Sequence, residues 1–289
     1  MGTLFPKSRC IGFLTALINP FCSENVFWQK PADGLFDLSK VNKIAMARIF
    51  ITGSADGLGQ MAAKLLVDQG HKVVLHARNT ERGRHALSQV PGAENVLAGD
   101  LSSSEETKKL AKEVNTLGTF DSVIHNAGVY QVSGKLIFAV NTLAPYILTS
   151  LIERPKRLIY LSSGMHRQGT PNLEKLASNV DRISYSDSKL HVLMLSMAVA
   201  RKWPEVYSNA VDPGWVATKM GGHNAPDNLQ KGYETQAWLA VSSDNKAKVS
   251  GHYFHHQRQD HYNTQATDVT AQEKLLKLCE EITGIPFPQ

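Results

Sequence analysis

From Arg48 onward the chain alternates short apolar runs with longer segments whose apolar positions recur at helical spacing. Arg48–Thr52, Lys72–His76, Asn95–Ala98, Ser122–His125, Arg157–Leu161, Val206–Val211 and Gly251–Phe254 read as strands, being short and rich in β-branched and aromatic residues. Between them, helices are expected over Leu58–Gln69 (stopped by Gly70), a polar segment ending near Gln89, and Ser104–Asn115, with Ser102 or Ser103 as cap. Asn141–Ile152, Ser186–Trp203, Tyr233–Val241 and Thr270–Ile282 also read as helices, and Pro145 should kink or start the first of these. Strands separated by helices imply parallel pairing through right-handed crossovers. Strands apolar on both sides imply a sheet covered on both faces. The expected fold is α/β, a doubly wound parallel sheet of Rossmann-like type with about seven strands, in a single domain spanning residues 46–289.

Residues 1–45 do not join this alternation. Ile11–Ile18 is apolar, follows Lys7 and Arg9, and is followed by Pro20. That order loosely follows a secretory signal, but no small-residue cleavage site comes after it. Pro6 removes the Ser or Thr that a myristoylation signal needs. The stretch is expected to be an extension outside the fold, with a targeting segment or a packed arm as alternatives.

Composition narrows the class. The chain has 289 residues, 42% hydrophobic and 20% charged, with a net charge of +5. These values suit a globular protein with a substantial core. No apolar run approaches the ~20 residues that span a bilayer. The basic residues are dispersed, which argues against nucleic-acid binding. Cys10, Cys22 and Cys279 form no CxxC pair, so a disulfide framework is not expected and a reducing, cytoplasmic location is.

The chemistry gathers at strand ends. The first strand runs into Thr52-Gly53-Ser54-Ala55-Asp56-Gly57-Leu58-Gly59. Glycines there allow a tight turn and close approach of backbone to a pyrophosphate, and the next helix aims its N-terminus at the phosphate charge. The second strand ends in His76-Ala77-Arg78-Asn79. Without an acid at Ala77 nothing repels a ribose 2′-phosphate, and the Arg78 guanidinium suits one. Tyr185 and Lys189, four apart, share one helix face. A free phenol has a pKa of about 10, so roughly one in a thousand is ionised at pH 7. A nearby ammonium moves that balance toward phenolate.

TGxxxGxG, Asn126-Ala127-Gly128, Asn141, Ser162-Ser163, YxxxK and Pro213-Gly214 follow one another in an order that resembles the short-chain dehydrogenase/reductase family over residues 46 to about 283. The resemblance implies an oxidoreductase that interconverts a carbonyl and an alcohol. Tyr185 would be the general acid or base, and Ser163 would bond the substrate oxygen. Lys189 would hold the nicotinamide ribose, and Asn141 a water in a proton relay, unless Asn141 merely caps a helix. Ser162 would pack under the sheet. Gly53, Ser54, Asp56, Gly57, Leu58 and Gly59 would form the phosphate loop. Asp100 and Leu101 would flank the adenine, while Asn126, Ala127 and Gly128 would pass close to the cofactor. Pro213, Gly214, Val216 and Thr218 would hold the carboxamide. NADP(H) is favoured over NAD(H) on Ala77 and Arg78, against which Asp56 stands where many NADP-using relatives carry a base.

Two departures are visible. Ser163 and Tyr185 lie 22 positions apart, a long loop of the kind seen in retinol-dehydrogenase-like and related carbonyl-reducing branches. Gly128 to Asn141 is short and leaves little of the usual fourth helix, which puts the helix-mediated homodimer face in question. Met165, Trp215, Met220 and Trp238 are candidates for a pocket lining, and core packing explains each as well. His252, His255, His256 and His261 invite a metal reading, but they lack a carboxylate-histidine motif and read better as a polar edge. No metal is expected. Two other functions compete: a non-catalytic dinucleotide-binding regulator on the same fold, against which the full Ser/Tyr/Lys/Asn set argues, and an isomerase or epimerase, whose usual GxxGxxG and larger C-terminal region are not seen.

A chain that begins at Met46 keeps every expected strand and helix. It is expected to fold and to melt within a few degrees of the full chain. A large loss of thermal stability in the shorter chain would mean that residues 1–45 pack as an arm.

Overall fold

The computed structural model describes residues 46–289. Cys10, Cys22 and the signal-like run fall outside the described residues. The strands are β1 (Arg48–Ile51), β2 (Lys72–Ala77), β3 (Asn95–Ala98), β4 (Ser122–His125), β5 (Arg157–Leu161), β6 (Tyr207–Asp212), β7 (His252–His255) and β8 (Arg258–Gln259). They form one sheet in the order β3-β2-β1-β4-β5-β6-β7-β8. Every pair from β3 to β7 is parallel, with Phe50 facing Val74 on one side and Val123 on the other. The order reverses between β1 and β4, so a crevice opens at the carboxyl ends of these two strands.

The period of two in the strands divides the core. Ile49 and Ile51 pack on one face with Ala63, Leu66, Ala237 and Leu239, while Phe50 packs on the other with Leu110, Val114, Ile147 and Leu193. The first face carries α1 (Gly57–Asp68), α2 (Thr80–Gln89) and α8 (Leu229–Val241). The second carries α3 (Ser104–Thr116), α5 (Ala144–Leu151), α6 (Leu173–Ser178), α7 (Tyr185–Lys202) and α9 (Val269–Thr283). Trp238 belongs to the first face, where it meets the Phe254 ring edge-on at 5.7 Å.

Two expectations change. The sheet has eight strands, not about seven, and its last pair is antiparallel: His255 pairs with Arg258 and Phe254 with Gln259. His256 and Gln257, at φ 49° and 61°, make the two-residue turn between them, whose left-handed geometry matches the twist of the flanking strands. A two-residue strand shows no periodicity, so the sequence pattern could not reveal it. The helix expected from Asn141 begins earlier, at α4 (Gly134–Phe138), passes through a π-helical turn at Ala139–Leu143, and continues as α5. Ser133 caps it, accepting from the Leu136 N–H at 3.3 Å. Asn141 is therefore inside a helix rather than its cap, and the segment before it holds only the five-residue α4. Pro145 has no N–H to offer the Asn141 carbonyl four residues earlier, which accounts for the departure from α geometry just before it. Gly134–Leu151 is long and apolar enough to cross a membrane by length and composition alone, but 67% of it is buried within the fold.

The helix α7 is buried around most of its circumference, from Asp187 to Val199, so its position is set by packing on all sides. A capping box fixes where it starts. The Ser184 hydroxyl accepts from the Asp187 N–H at 3.1 Å, and Asp187 accepts from the Ser184 N–H at 3.0 Å. The same carboxylate also takes the Thr170 N–H at 2.8 Å and thereby ties the long loop after β5 to the helix. Burial raises the Asp187 carboxyl, but the hydrogen bonds from Thr170 and Ser184 outweigh it and hold it below the usual range.

Asp187→Ala is expected to cost about 1–2 kcal/mol by removing one half of the capping box and leaving two part-buried N–H groups without their acceptor, a fall in Tm of roughly 2–8 °C. Because the folded carboxyl is depressed, this stabilisation is complete above the ordinary carboxylate pKa of about 3.9 and fades as pH drops through the folded value. Thermal melts of both proteins at neutral and acid pH check this, and a shift under one degree at neutral pH would refute it.

Candidate active site

Hydrogen bonds from neighbouring strands hold the glycine loop rigid. Thr52 donates its N–H to the Ile124 carbonyl at 3.0 Å, and its hydroxyl accepts from the Ala127 N–H at 3.0 Å. Gly53 has φ +63°, and a Cβ there would lie 2.9 Å from the Ala127 Cα. The position thus needs glycine for both its conformation and its close packing. The Gly53 N–H donates to His76 Nδ1 at 2.9 Å, so Nε2 carries the proton and donates to the Gly99 carbonyl at 2.9 Å. Burial pushes His76 down to about 4 and keeps it neutral. The Asn126 amide donates to the Thr52 and Gly53 carbonyls at 3.0 and 3.1 Å, so its side chain staples the loop to β4.

A cavity of about 520 Å³ opens over this loop. It gathers Gly53, Asp56, Gly57, Leu58, Arg78, Asp100, Leu101, Asn126, Ala127, Gly128, Tyr185, Lys189, Pro213 and Thr218, most of the residues expected to meet a cofactor. Four expected residues are not among its walls: Gly214 and Val216 line the adjoining cavity, and Ser54 and Gly59 turn into the fold. Ser54 is fully buried and joins β1 to β2, donating to the Ile51 carbonyl and accepting from the His76 N–H, both at 2.9 Å. Gly59 packs against Asn126, whose Nδ2 would lie 2.4 Å from a Cβ there. Arg82 and Lys219 line the cavity and were not expected. Arg82 lies in the first turn of α2, and the Lys219 contact with Asp56 joins positions 163 apart, beyond the reach of any local spacing rule. A dinucleotide suits these walls: the N-terminus of α1 opens onto the cavity at Gly57 and Leu58, a Cβ at Gly57 would find open space, and Arg78 stands at the end of β2.

A second cavity, of about 470 Å³, adjoins the first. Leu58, Tyr185, Pro213, Thr218 and Met220 line both. Met165, Trp215 and Met220 form part of its wall together with Tyr130, whose ring meets Tyr185 edge-on at 4.8 Å. Gly214 and Val216 also face this side, while Trp238 belongs to the core.

Tyr185 lines both cavities, and Ser163 stands beside it on the wall of the second. Burial pushes the phenol up to about 12, opposed by the nearby Ser163 hydroxyl and reinforced by the Asp212 carboxylate. Lys189 is buried beneath, its Nζ 5.4 Å from the centre of the Tyr185 ring and donating to the Leu161 carbonyl at 2.7 Å. Burial lowers the ammonium to about 8 against the pull of Asp212. The ammonium therefore does not draw the phenol below its ordinary range in this arrangement. Ser162 turns away and donates to the Lys189 carbonyl at 2.8 Å. The Asn141 amide bonds both backbone groups of Val129, at 2.8 and 3.0 Å, and Ser188 at 3.0 Å. A Cβ at Gly128 would lie 3.3 Å from Lys189 Nζ and 3.4 Å from Asn141 Oδ1, so this glycine gives both side chains their room. Asp212, Arg167, Asp260 and His255 form a polar end of the second cavity that sequence spacing did not signal.

Among known proteins, the family model for short chain dehydrogenase matches residues 47–152. An uncharacterized oxidoreductase of Emericella nidulans is 46% identical over 84% of this chain and 99% of its own length. The short-chain dehydrogenase chyC of Penicillium rubens is 43% identical over 84% of this chain and all of its own. A blue fluorescent protein from a metagenomic library, solved in complex with NADPH, shares the fold with a TM-score of 0.61 at 18% identity, over 72% of this chain and 95% of that one. With the glycine loop, YxxxK helix and strand order in place, and relatives matched over nearly their whole length, the chain belongs to the short-chain dehydrogenase/reductase family of oxidoreductases.

Proposed function

We propose that the protein interconverts a carbonyl and an alcohol on a small molecule, using NADP(H), with Tyr185, Ser163, Lys189 and Asn141 as its chemical groups. One observation carries the reading: Tyr185 lines both cavities where they meet, with Ser163 beside it on the wall of the second. A cofactor in the first and a substrate in the second would face each other across this phenol.

The bound nicotinamide supplies or accepts the hydride. In reduction, Tyr185 gives its proton to the substrate oxygen. A phenol held near 12 is almost wholly protonated at neutral pH, the state an acid requires. Ser163 donates to the same oxygen and stabilises the charge that grows there. Once the proton has left, the Lys189 ammonium beside the ring stabilises the phenolate. Asn141, fixed against Val129, holds the geometry behind Lys189 and would carry a relay water through its backbone, since Pro145 leaves its carbonyl without the usual helical donor. In oxidation the same groups act in reverse, with Tyr185 as base.

Arg78 on the first cavity and the lack of an acid at Ala77 support NADP(H). Lys219 and Arg82 both approach Asp56, which answers the one residue that argued the other way.

Tyr185→Phe is expected to lower turnover by about 10²–10⁴, the usual contribution of a positioned acid, while NADPH affinity stays within about twofold because the ring and its packing remain. Turnover within tenfold of wild type would remove Tyr185 from the mechanism. Hydrogen bonds to a charged group contribute about 1.5–3 kcal/mol, so Arg78→Ala should lower kcat/KM for NADPH roughly ten- to a hundredfold and leave NADH nearly unchanged. Equal losses for the two cofactors would leave Arg78 a surface residue.

A further inference from the structure

Asp56 poses an electrostatic problem at the rim of the cofactor cavity. It caps α1, accepting from the Gly57 N–H at 2.8 Å, and its carboxylate shares that rim with Arg78 and Arg82. A carboxylate at such a place repels a phosphate dianion. In the structure the Lys219 ammonium is ion-paired to Asp56 Oδ2, and Arg82 Nη2 lies 3.9 Å from the same oxygen. Lys219 comes from the loop after β6, directly after Thr218, and crosses the cavity mouth to reach a residue 163 positions earlier. Its side chain is 85% exposed. An ion pair that exposed adds little to stability, so its consequence lies in the local charge. The hydrogen bond from Lys219 is the main reason the Asp56 carboxyl sits below its ordinary range. The acid is thus fully ionised at neutral pH and needs a counter-charge. Without Lys219 the Asp56 carboxylate would keep only the Arg82 guanidinium, 3.9 Å away, as an ion-pair partner.

We propose that Lys219 is a cofactor-specificity residue acting through Asp56: its ammonium cancels the carboxylate in the phosphate-binding turn, which would otherwise repel a 2′-phosphorylated adenosine, leaving Arg78 and Arg82 to take that phosphate. The inference rests on the NADP(H) reading above and extends it to a residue on the opposite lip of the cleft. It also explains how a loop can carry an acid in its phosphate-binding turn and still accept the phosphorylated cofactor.

Direct binding tests it without turnover. The full chain, its Lys219→Ala variant and the Asp56→Asn/Lys219→Ala double variant are titrated calorimetrically with adenosine 2′,5′-bisphosphate and with 5′-AMP at low salt. Asn caps a helix as well as Asp, so the double variant keeps α1 intact. Lys219→Ala is expected to weaken the bisphosphate roughly three- to tenfold and 5′-AMP by less than about twofold, as fits a partly screened charge. The double variant, with no carboxylate left to cancel, is expected to recover bisphosphate affinity to within about twofold of wild type, and added salt should shrink the Lys219→Ala loss. No loss in Lys219→Ala, equal losses for both probes, or a double variant as weak as the single one would overturn the proposal. A wild-type chain that binds 5′-AMP more tightly than the bisphosphate would overturn the NADP(H) reading itself, a different result from these.

Discussion

An ammonium taken out of water is costly unless polar groups replace its hydration, and Lys189 sits almost wholly buried at the centre of this cleft. The ends of three adjacent strands meet that cost. The end of β5 gives the Leu161 carbonyl, the end of β6 the Asp212 carboxylate, and the turn after β4 a glycine small enough to leave the side chain its space. This works only if the strands are parallel and in register, so that their carboxyl ends lie together. The pairing of Ile159 with both Ile124 and Asn209 provides that. The sheet is both the scaffold of the fold and the solvation shell of one charge.

The helix that carries Tyr185 and Lys189 obeys the same constraint. A helix with one free face can slide or tilt; α7, buried from Asp187 to Val199, has little room to do either. Its polar residues are satisfied inside the core, Ser188 by the Tyr185 carbonyl at 2.7 Å and His191 by the Pro171 carbonyl at 2.7 Å. The loop after β5 contributes to this through His191 and Asp187, so the long Ser163–Tyr185 connection is a brace on the helix as well as a wall of the second cavity. Where one residue must hold a proton within reach of another molecule, such over-determination keeps the geometry.

The far side of the cleft is organised by charge more than by packing. Lys219 and Arg82 are exposed side chains that meet on Asp56, and Arg167 meets Asp260 at 2.6 Å at the polar end of the second cavity. Contacts of this kind set which ligand charges are tolerated and add little to folding. The cleft thus joins a buried half built around Lys189 to an open half lined by paired surface charges.

Local periodicity was enough to read most strands and helices: β4 and β5 begin and end as expected because a strand buried on both faces is built around an apolar run, and so does β3, though it lies half-buried at the edge of the sheet. The glycine loop and YxxxK were legible for the same reason, since a tight turn and one helix face are both short-range facts. What the chain order could not contain is which distant residues share a space. The two-residue β8 carries no period, and the π turn at Asn141 arises from a proline four positions ahead. Ser54 and Gly59 match the loop pattern yet turn into the fold to hold it together. Asp212, Arg82 and Lys219 acquire their surroundings only because β6 and β1 end, and α2 begins, at the same edge of the sheet. Sequence by itself determined the elements and the groups that act within one turn of backbone. Tertiary structure alone decided the burial of Lys189, the raised phenol of Tyr185 and the pairing of Asp56 with Lys219, because burial and charge depend on neighbours that only folding brings near.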